Sequence, residues 1–149
     1  MRPFVSVRPE DFDLSEEAAR LEQNAPGAVA TFVGLVRSDG GITALELEHY
    51  PAMTVSALEA IAAQAADRWT LNGLTIIHRV GRLPVGSRIV FVGASARHRG
   101  DALDGVHFVI DWLKTDAPFW KREIFADGRA QWVEARSDDT SARDRWTAD

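Results

Sequence analysis

The chain contains no cysteine. That absence excludes disulfide frameworks, thiolate zinc sites, iron–sulfur ligation and any thiol nucleophile or persulfide carrier. Lysine is scarce too: of 17 basic residues 15 are arginine, and the only lysines are Lys114 and Lys121. Arginine keeps its charge and grips anions with a planar fork, whereas lysine can shed a proton and serve as base or nucleophile. Amine chemistry on this chain is therefore confined to two side chains and the N-terminus. No apolar run approaches the roughly 18 residues a membrane span needs, and Met1 to Asp11 lacks the apolar stretch of a targeting signal. A soluble cytoplasmic protein is expected, with no membrane partner. Neither G-x-G-x-x-G nor G-x-x-x-x-G-K-[ST] occurs, which disfavours a doubly wound nucleotide fold. His49, His78, His98 and His107 show no H-x-x-x-H or comparable spacing, so neither metal nor cofactor is expected.

What is present is an ordinary globular composition. At 149 residues and 46% hydrophobic, the chain fits one domain over residues 1–149, and such a length buries roughly 70% of its unfolded surface. The only stretch that departs from this is a polar C-terminal tail, Ser137 to Asp149, expected to be loosely held.

The pattern predicts a strand around Val5 and Val7, then a short helix through Leu21 opened by Asp13 and Glu16. Ala28 to Val36 reads as a largely buried strand, and Ile42 to Tyr50 as a strand covered on one face. Leu58, Ile61, Ala62, Ala65, Ala66 and Trp69 recur at helical spacing, giving a long helix over about 53–69. Strands follow at Leu74 to Val80 and Arg88 to Ala96, separated by Gly81-Arg-Leu-Pro-Val-Gly86. Leu103, Val106, Ile110 and Leu113 mark a second long helix that Pro118 ends. Phe119 to Phe125 and Ala130 to Arg136 flank Asp127-Gly128, a hairpin signal. Hairpins interleaved with two long helices and one short helix predict an α+β fold, with the helices on one side of a mixed, mainly antiparallel sheet.

Two features carry chemistry. From Arg68 through Gly100 there are six arginines and no acidic residue, so the rest of the chain, with 11 basic and 22 acidic residues, sums to −11. A local positive field in an acidic protein is one consequence. Its sharpest point, Arg97-His98-Arg99-Gly100, sits where a buried strand feeds the second long helix; a helix N-terminus with two guanidinium groups suits a phosphate or carboxylate. A solvated basic turn explains the same residues equally well. The second feature is the lysine pair. Lys114 near a helix C-terminus is by itself ordinary dipole stabilisation, but Trp112, Phe119 and Trp120 could desolvate the amine and lower its pKa. On the following strand Phe119, Lys121 and Glu123 share one face and Trp120, Arg122 and Ile124 the other, so Lys121 is expected to point at a ligand while Trp120 packs. Net acidity and the lack of a recognisable module argue against nucleic acid.

The strings Leu45-Glu-Leu-Glu-His-Tyr-Pro51, Ile77-His-Arg-Val-Gly81, Val90-Phe-Val-Gly93, Arg97-His-Arg99, Leu113-Lys-Thr-Asp-Ala-Pro-Phe-Trp-Lys-Arg-Glu123 and Trp132-Val-Glu-Ala-Arg136 closely resemble the MoaE family, the large subunit of molybdopterin synthase, from about Gly27 to Trp146. The resemblance implies an α/β hammerhead fold. It implies a sulfurtransferase that converts cyclic pyranopterin monophosphate to molybdopterin by installing two sulfurs. They come from the C-terminal Gly-Gly thiocarboxylate of a small ubiquitin-like subunit, and the implied assembly is a homodimer within a heterotetramer. By matching positions, Lys114 falls on the essential family lysine, and Lys121, Arg122 and Glu123 on a second substrate-contacting patch. His98 and Arg99 match an anion-binding pair, and Arg37 lies in a loop where Lys-Val-Arg is frequent; here the triplet is Leu35-Val36-Arg37, one cation short. Catalytic roles thus fall to Lys114 and Lys121, and substrate binding to Arg37, His98, Arg99, Lys114, Lys121, Arg122 and Glu123. Two other readings stand beside this one: a non-catalytic anion-binding or scaffold module docking an acidic partner, and a phosphate-ester hydrolase, which lacks a metal site or nucleophile.

Overall fold

Local signals set the helix boundaries. Helix α1 (Leu14–Leu21) opens where Asp13 accepts a hydrogen bond from the Glu16 amide at 3.0 Å, as a capping residue should. Helix α2 (Pro51–Arg68) starts on a proline, whose missing N–H costs nothing at that position. It buries Thr54, Leu58, Ile61, Ala62 and Ala65 along one stripe. Helix α3 (Arg99–Leu113) buries Ala102, Val106, Val109 and Leu113 at the same periodicity, while Leu103, a position expected inside, stands exposed. Each fully buried Leu or Ile contributes about 1.5–3 kcal/mol, so two such stripes suffice to clamp helices to a sheet.

The computed structural model describes residues 1–133, 137–144, 146 and 147. The strands are β1 (Phe4–Arg8), β2 (Ala28–Leu35), β3 (Ile42–His49), β4 (Gly73–Arg79), β5 (Gly81–Pro84), β6 (Arg88–Ala96), β7 (Phe119–Phe125) and β8 (Ala130–Val133), and a fourth helix α4 spans Ser137–Asp144. They form two four-stranded sheets, ordered β1-β4-β6-β2 and β5-β3-β7-β8. Only the β1–β4 pair is parallel; all the others are antiparallel. The mixed, mainly antiparallel α+β class is therefore what the chain adopts.

Four local expectations change. The segment read as a separator is strand β5, pairing Leu45 with Leu83 and Glu46 with Arg82. Helices cover both faces of the first sheet: Val90, Val92 and Ala94 pack with α2 and α3, while Phe91 and Ile77 pack with Phe12 and Leu21 on the α1 side. Leu21 lies so close to β6 that a Cβ added at Gly93 would stand 2.4 Å from its Cδ1. Strand β2 is an edge, and Val29 and Leu35 are exposed where burial was expected. Lastly, the polar tail contains helix α4, beyond which Trp146 packs against the main core. Residues 134–136, expected to complete β8, lie outside the described residues. No helix among the described residues is long and apolar enough to cross a membrane.

Candidate active site

Where the two sheets meet, a cleft of about 690 Å³ opens between β2, β3, β7 and the end of α3. Its walls include Phe32, Val36, Leu45, Ile89, Leu113 and Phe119, and its charged groups are Arg37, Lys114, Lys121, Asp39 and Glu123. An apolar floor with a few converging charges is the usual form of a small-molecule site. Three separate pieces of structure supply the cations. Arg37 comes from the turn after β2, where its Nε lies 3.5 Å from Asp39 and both side chains are exposed. Lys114 caps α3, its amide donating to the Ile110 carbonyl at 3.1 Å. Lys121 projects from β7 between Leu47 of β3 and Val133 of β8.

The period-two pattern of β7 places its residues as expected. Phe119, Lys121 and Glu123 line the cleft, and Arg122 and Ile124 line a shallower groove on the opposite face with Glu46 and Arg82. Arg122 pairs there with Glu46 and lies 5.3 Å over the Trp132 ring. Its side chain therefore lies on the face of β7 opposite Lys121. Of the three aromatic residues expected beside the lysines, only Phe119 borders the cleft. Trp112 packs toward the main core, and Trp120, expected to pack inside, is exposed with its ring against Tyr50 at 5.1 Å.

Beneath Phe119 lies a group whose part the sequence left unassigned. His78 is buried and stacks on Phe119 with ring centroids 3.9 Å apart. Its Nδ1 donates to the Arg79 carbonyl at 2.8 Å, which leaves Nε2 without a proton. Burial lowers its pKa to about 3; the carbonyl contact opposes that shift, and the positive charges of Lys121 and Lys114 add to it. The site thus rests on a neutral imidazole. The signal in the sequence was position: His78 continues the apolar run Leu74-Thr-Ile-Ile77 of a strand buried on both faces.

His98 and Arg99 are not near this cleft within one chain. They stand exposed at the N-terminus of α3, and Lys114 caps the other end; 15 residues of helix span roughly 22 Å. The wider basic stretch is largely consumed locally. Arg79 donates to the Pro9 and Arg88 carbonyls, Arg88 to the Phe12 carbonyl and Asp11, and Arg68 to the Trp146 carbonyl. Only its far end, at residues 97–100, forms an exposed basic turn, held in place because Gly27 has no Cβ to collide with the Arg97 carbonyl. Among the described residues, no group of three or more His, Asp or Glu is placed to hold a metal ion.

Fold and cleft together define an α+β scaffold of the kind that carries a small-molecule enzyme site, presenting amines and a guanidinium over an apolar floor. The family model for MoaE protein matches residues 7–116. The molybdopterin synthase catalytic subunit of Brucella melitensis is 50% identical over 146 residues, covering 95% of this chain and 90% of that protein. The solved structure of molybdopterin cofactor biosynthesis protein E from Burkholderia multivorans superposes with a TM-score of 0.85 at 49% identity, covering 100% of this chain and 99% of that one. A Helicobacter pylori complex of subunits 1 and 2 of molybdopterin-converting factor shares the fold, with a TM-score of 0.70 at 22% identity over 92% of each chain. The chain belongs to the MoaE family.

Proposed function

We propose that the cleft holding Lys114, Lys121 and Arg37 is where this chain works as the catalytic subunit of a molybdopterin synthase. It is a cytoplasmic sulfurtransferase of molybdenum cofactor biosynthesis, with residues 1–149 acting as one large-subunit domain. Its substrate is cyclic pyranopterin monophosphate and its product molybdopterin. The observation that carries this reading is the convergence of the chain's only two lysines, from different elements, on one cleft.

The chemistry follows from the groups present. With no cysteine, the chain cannot relay sulfur through a thiol of its own. Every sulfur must come from outside, here from the C-terminal thiocarboxylate of a small ubiquitin-like subunit, as the pairing of subunits in the Helicobacter pylori complex supports. Each insertion makes one carbon–sulfur bond to the pterin side chain as a carbon–oxygen bond there breaks, and breaks the donor's carbon–sulfur bond, its acyl carbon taking an oxygen from the substrate or from water to end as a carboxylate. Two insertions therefore consume two donors. Arg37 and Lys121 bind the anionic substrate by charge. Lys114, at the turn between α3 and β7, moves protons at its Nζ as oxygen leaves and sulfur arrives. Glu123 and Asp39 limit the net charge of the cleft.

His98 and Arg99 serve the same anion only if a second copy presents them, since α3 separates them from the lysines of their own chain. The homodimer within a heterotetramer fits that need. Arg122 acts from the other face of β7 by fixing Glu46 and Trp132. The scaffold reading loses its main support because Arg68, Arg79 and Arg88 are engaged by the chain's own carbonyls. Purified protein mixed with thiocarboxylated small subunit and cyclic pyranopterin monophosphate should yield the dithiolene product. No product with a competent small subunit would overturn the proposal.

A further inference from the structure

Arg143 of helix α4 and Trp146 beyond it are more firmly tied down than the polar composition around them suggests. Trp146 sits in an aromatic box, edge-on to Trp69 at 5.6 Å, Phe108 at 5.7 Å and His107 at 5.6 Å. Arg68 closes the box, lying 4.9 Å over Phe108 and donating to the Trp146 carbonyl at 2.7 Å. The indole Nε1 donates to the Asp111 carboxylate at 2.6 Å, and that carboxylate is buried in α3. One turn of chain earlier, Arg143 grips Asp116 with bonds of 2.8 and 2.7 Å to its two oxygens.

The targets of these contacts matter more than their number. Asp111 precedes Lys114 by three residues and Asp116 follows it by two, so the C-terminal segment holds the Lys114 turn from both sides. Inside that turn, the Asp116 amide donates to the Trp112 carbonyl at 2.8 Å and the Thr115 hydroxyl to the Asp111 carbonyl at 3.2 Å. A helix C-terminus whose last carbonyls are only partly satisfied frays readily, and a fraying turn would let the Lys114 amine wander. Both bonds to Asp116 come from the one Nη1 of Arg143, while its Nε and Nη2 lie 3.0 and 2.8 Å from the Asp144 carboxylate, so the guanidinium ties Asp116 to the end of α4. The geometry points to Arg143 and Trp146 as positioning residues for Lys114: the C-terminal segment is a strap that sets where the working amine stands. This rests on the reading of Lys114 given above.

The chain's two lysines make the test unusually clean, because protein labelled with ¹³C and ¹⁵N only at lysine gives two side-chain signals. The variants are Trp146→Phe, which keeps the ring and removes the bond to Asp111, Arg143→Ala, and Arg143→Lys. Leu21→Ala, on the α1 face of the first sheet, controls for lost stability. The strap requires that Trp146→Phe and Arg143→Ala shift the Lys114 Cε titration and leave that of Lys121 in place. It also requires kcat to fall by about tenfold or more with KM nearly constant, since small misplacements of a reacting group cost that much. Arg143→Lys should recover part of the loss, and Leu21→Ala should lower the melting temperature without moving the Lys114 signal. A Lys114 signal and kcat unchanged in both strap variants, with only the melting temperature reduced, would overturn the inference. Absence of turnover in the wild-type protein would instead count against the proposed function, and the lysine spectrum would still decide the strap.

Discussion

The two sheets have four strands each but opposite surroundings. In the first, β4 and β6 are buried almost end to end, sandwiched between α1 on one face and α2 with α3 on the other. In the second, β8 is exposed at all four residues and β7 is only partly covered. The difference follows from side chains. Strands β4 and β6 read as near-continuous apolar runs, whereas β3 alternates Leu45 and Leu47 with Glu46 and Glu48, and β7 carries Lys121, Arg122 and Glu123 in succession. A sheet buried on both faces can hold a frame rigid but has no room for solvated ions. A half-covered sheet can present Lys121 and Glu123 to a ligand while Leu47 anchors the strand from within. Burial and charge are thus divided between the sheets, and α3 joins them by packing on the first and bringing Lys114 to the cleft beside the second.

That division can be broken from the scaffold side first. Phe91→Ala, which empties a site 1% exposed and packed edge-on against Phe12 at 5.9 Å, should cost about 3–5 kcal/mol in chemical unfolding. Turnover per folded molecule should stay near wild type. A second effect, confined to acid pH, lies at the seam, where His78 of the first sheet stacks on Phe119 of the second. Its folded pKa, about 3, is below the unfolded value of 6.5, so the unfolded chain takes up the proton first as pH falls. The stability contribution of neutral His78 is complete above pH 6.5 and declines between 6.5 and 3, by up to about 1.4 kcal/mol per pH unit. Denaturant titrations across that window should show this slope, and His78→Phe should flatten it. An unchanged slope would mean that other groups carry the acid sensitivity.

Periodicity and capping chemistry made much of this legible before any coordinates. The boundaries of α1 and α2, the two lysines and the shared face of Phe119, Lys121 and Glu123 all followed from the order of residues. What escaped had physical reasons. Gly81-Arg-Leu-Pro84 has one buried side chain, Leu83, and turn residues at both ends, so β5 looks like a loop until β3 pairs with it. Ser137–Asp144 has no apolar stripe, because its anchor, Trp146, lies beyond the helix. That Arg122 meets Glu46 of β3 was not legible either, because it depends on the register between β3 and β7. That His98 and Lys114 stand at opposite ends of α3, by contrast, was already implied by the sequence pattern, which put one at the start of the second long helix and the other at its end.

The central claim, that one amine at the end of α3 performs the chemistry while the rest positions it, is tested most directly by Lys114→Ala. Binding of the small subunit and turnover of the pterin precursor should be measured on the same preparation. The account predicts retained binding, an unchanged melting temperature and turnover reduced by at least about a hundredfold, the lower end of what a positioned acid–base group supplies. Full turnover by Lys114→Ala with its partner bound would contradict it.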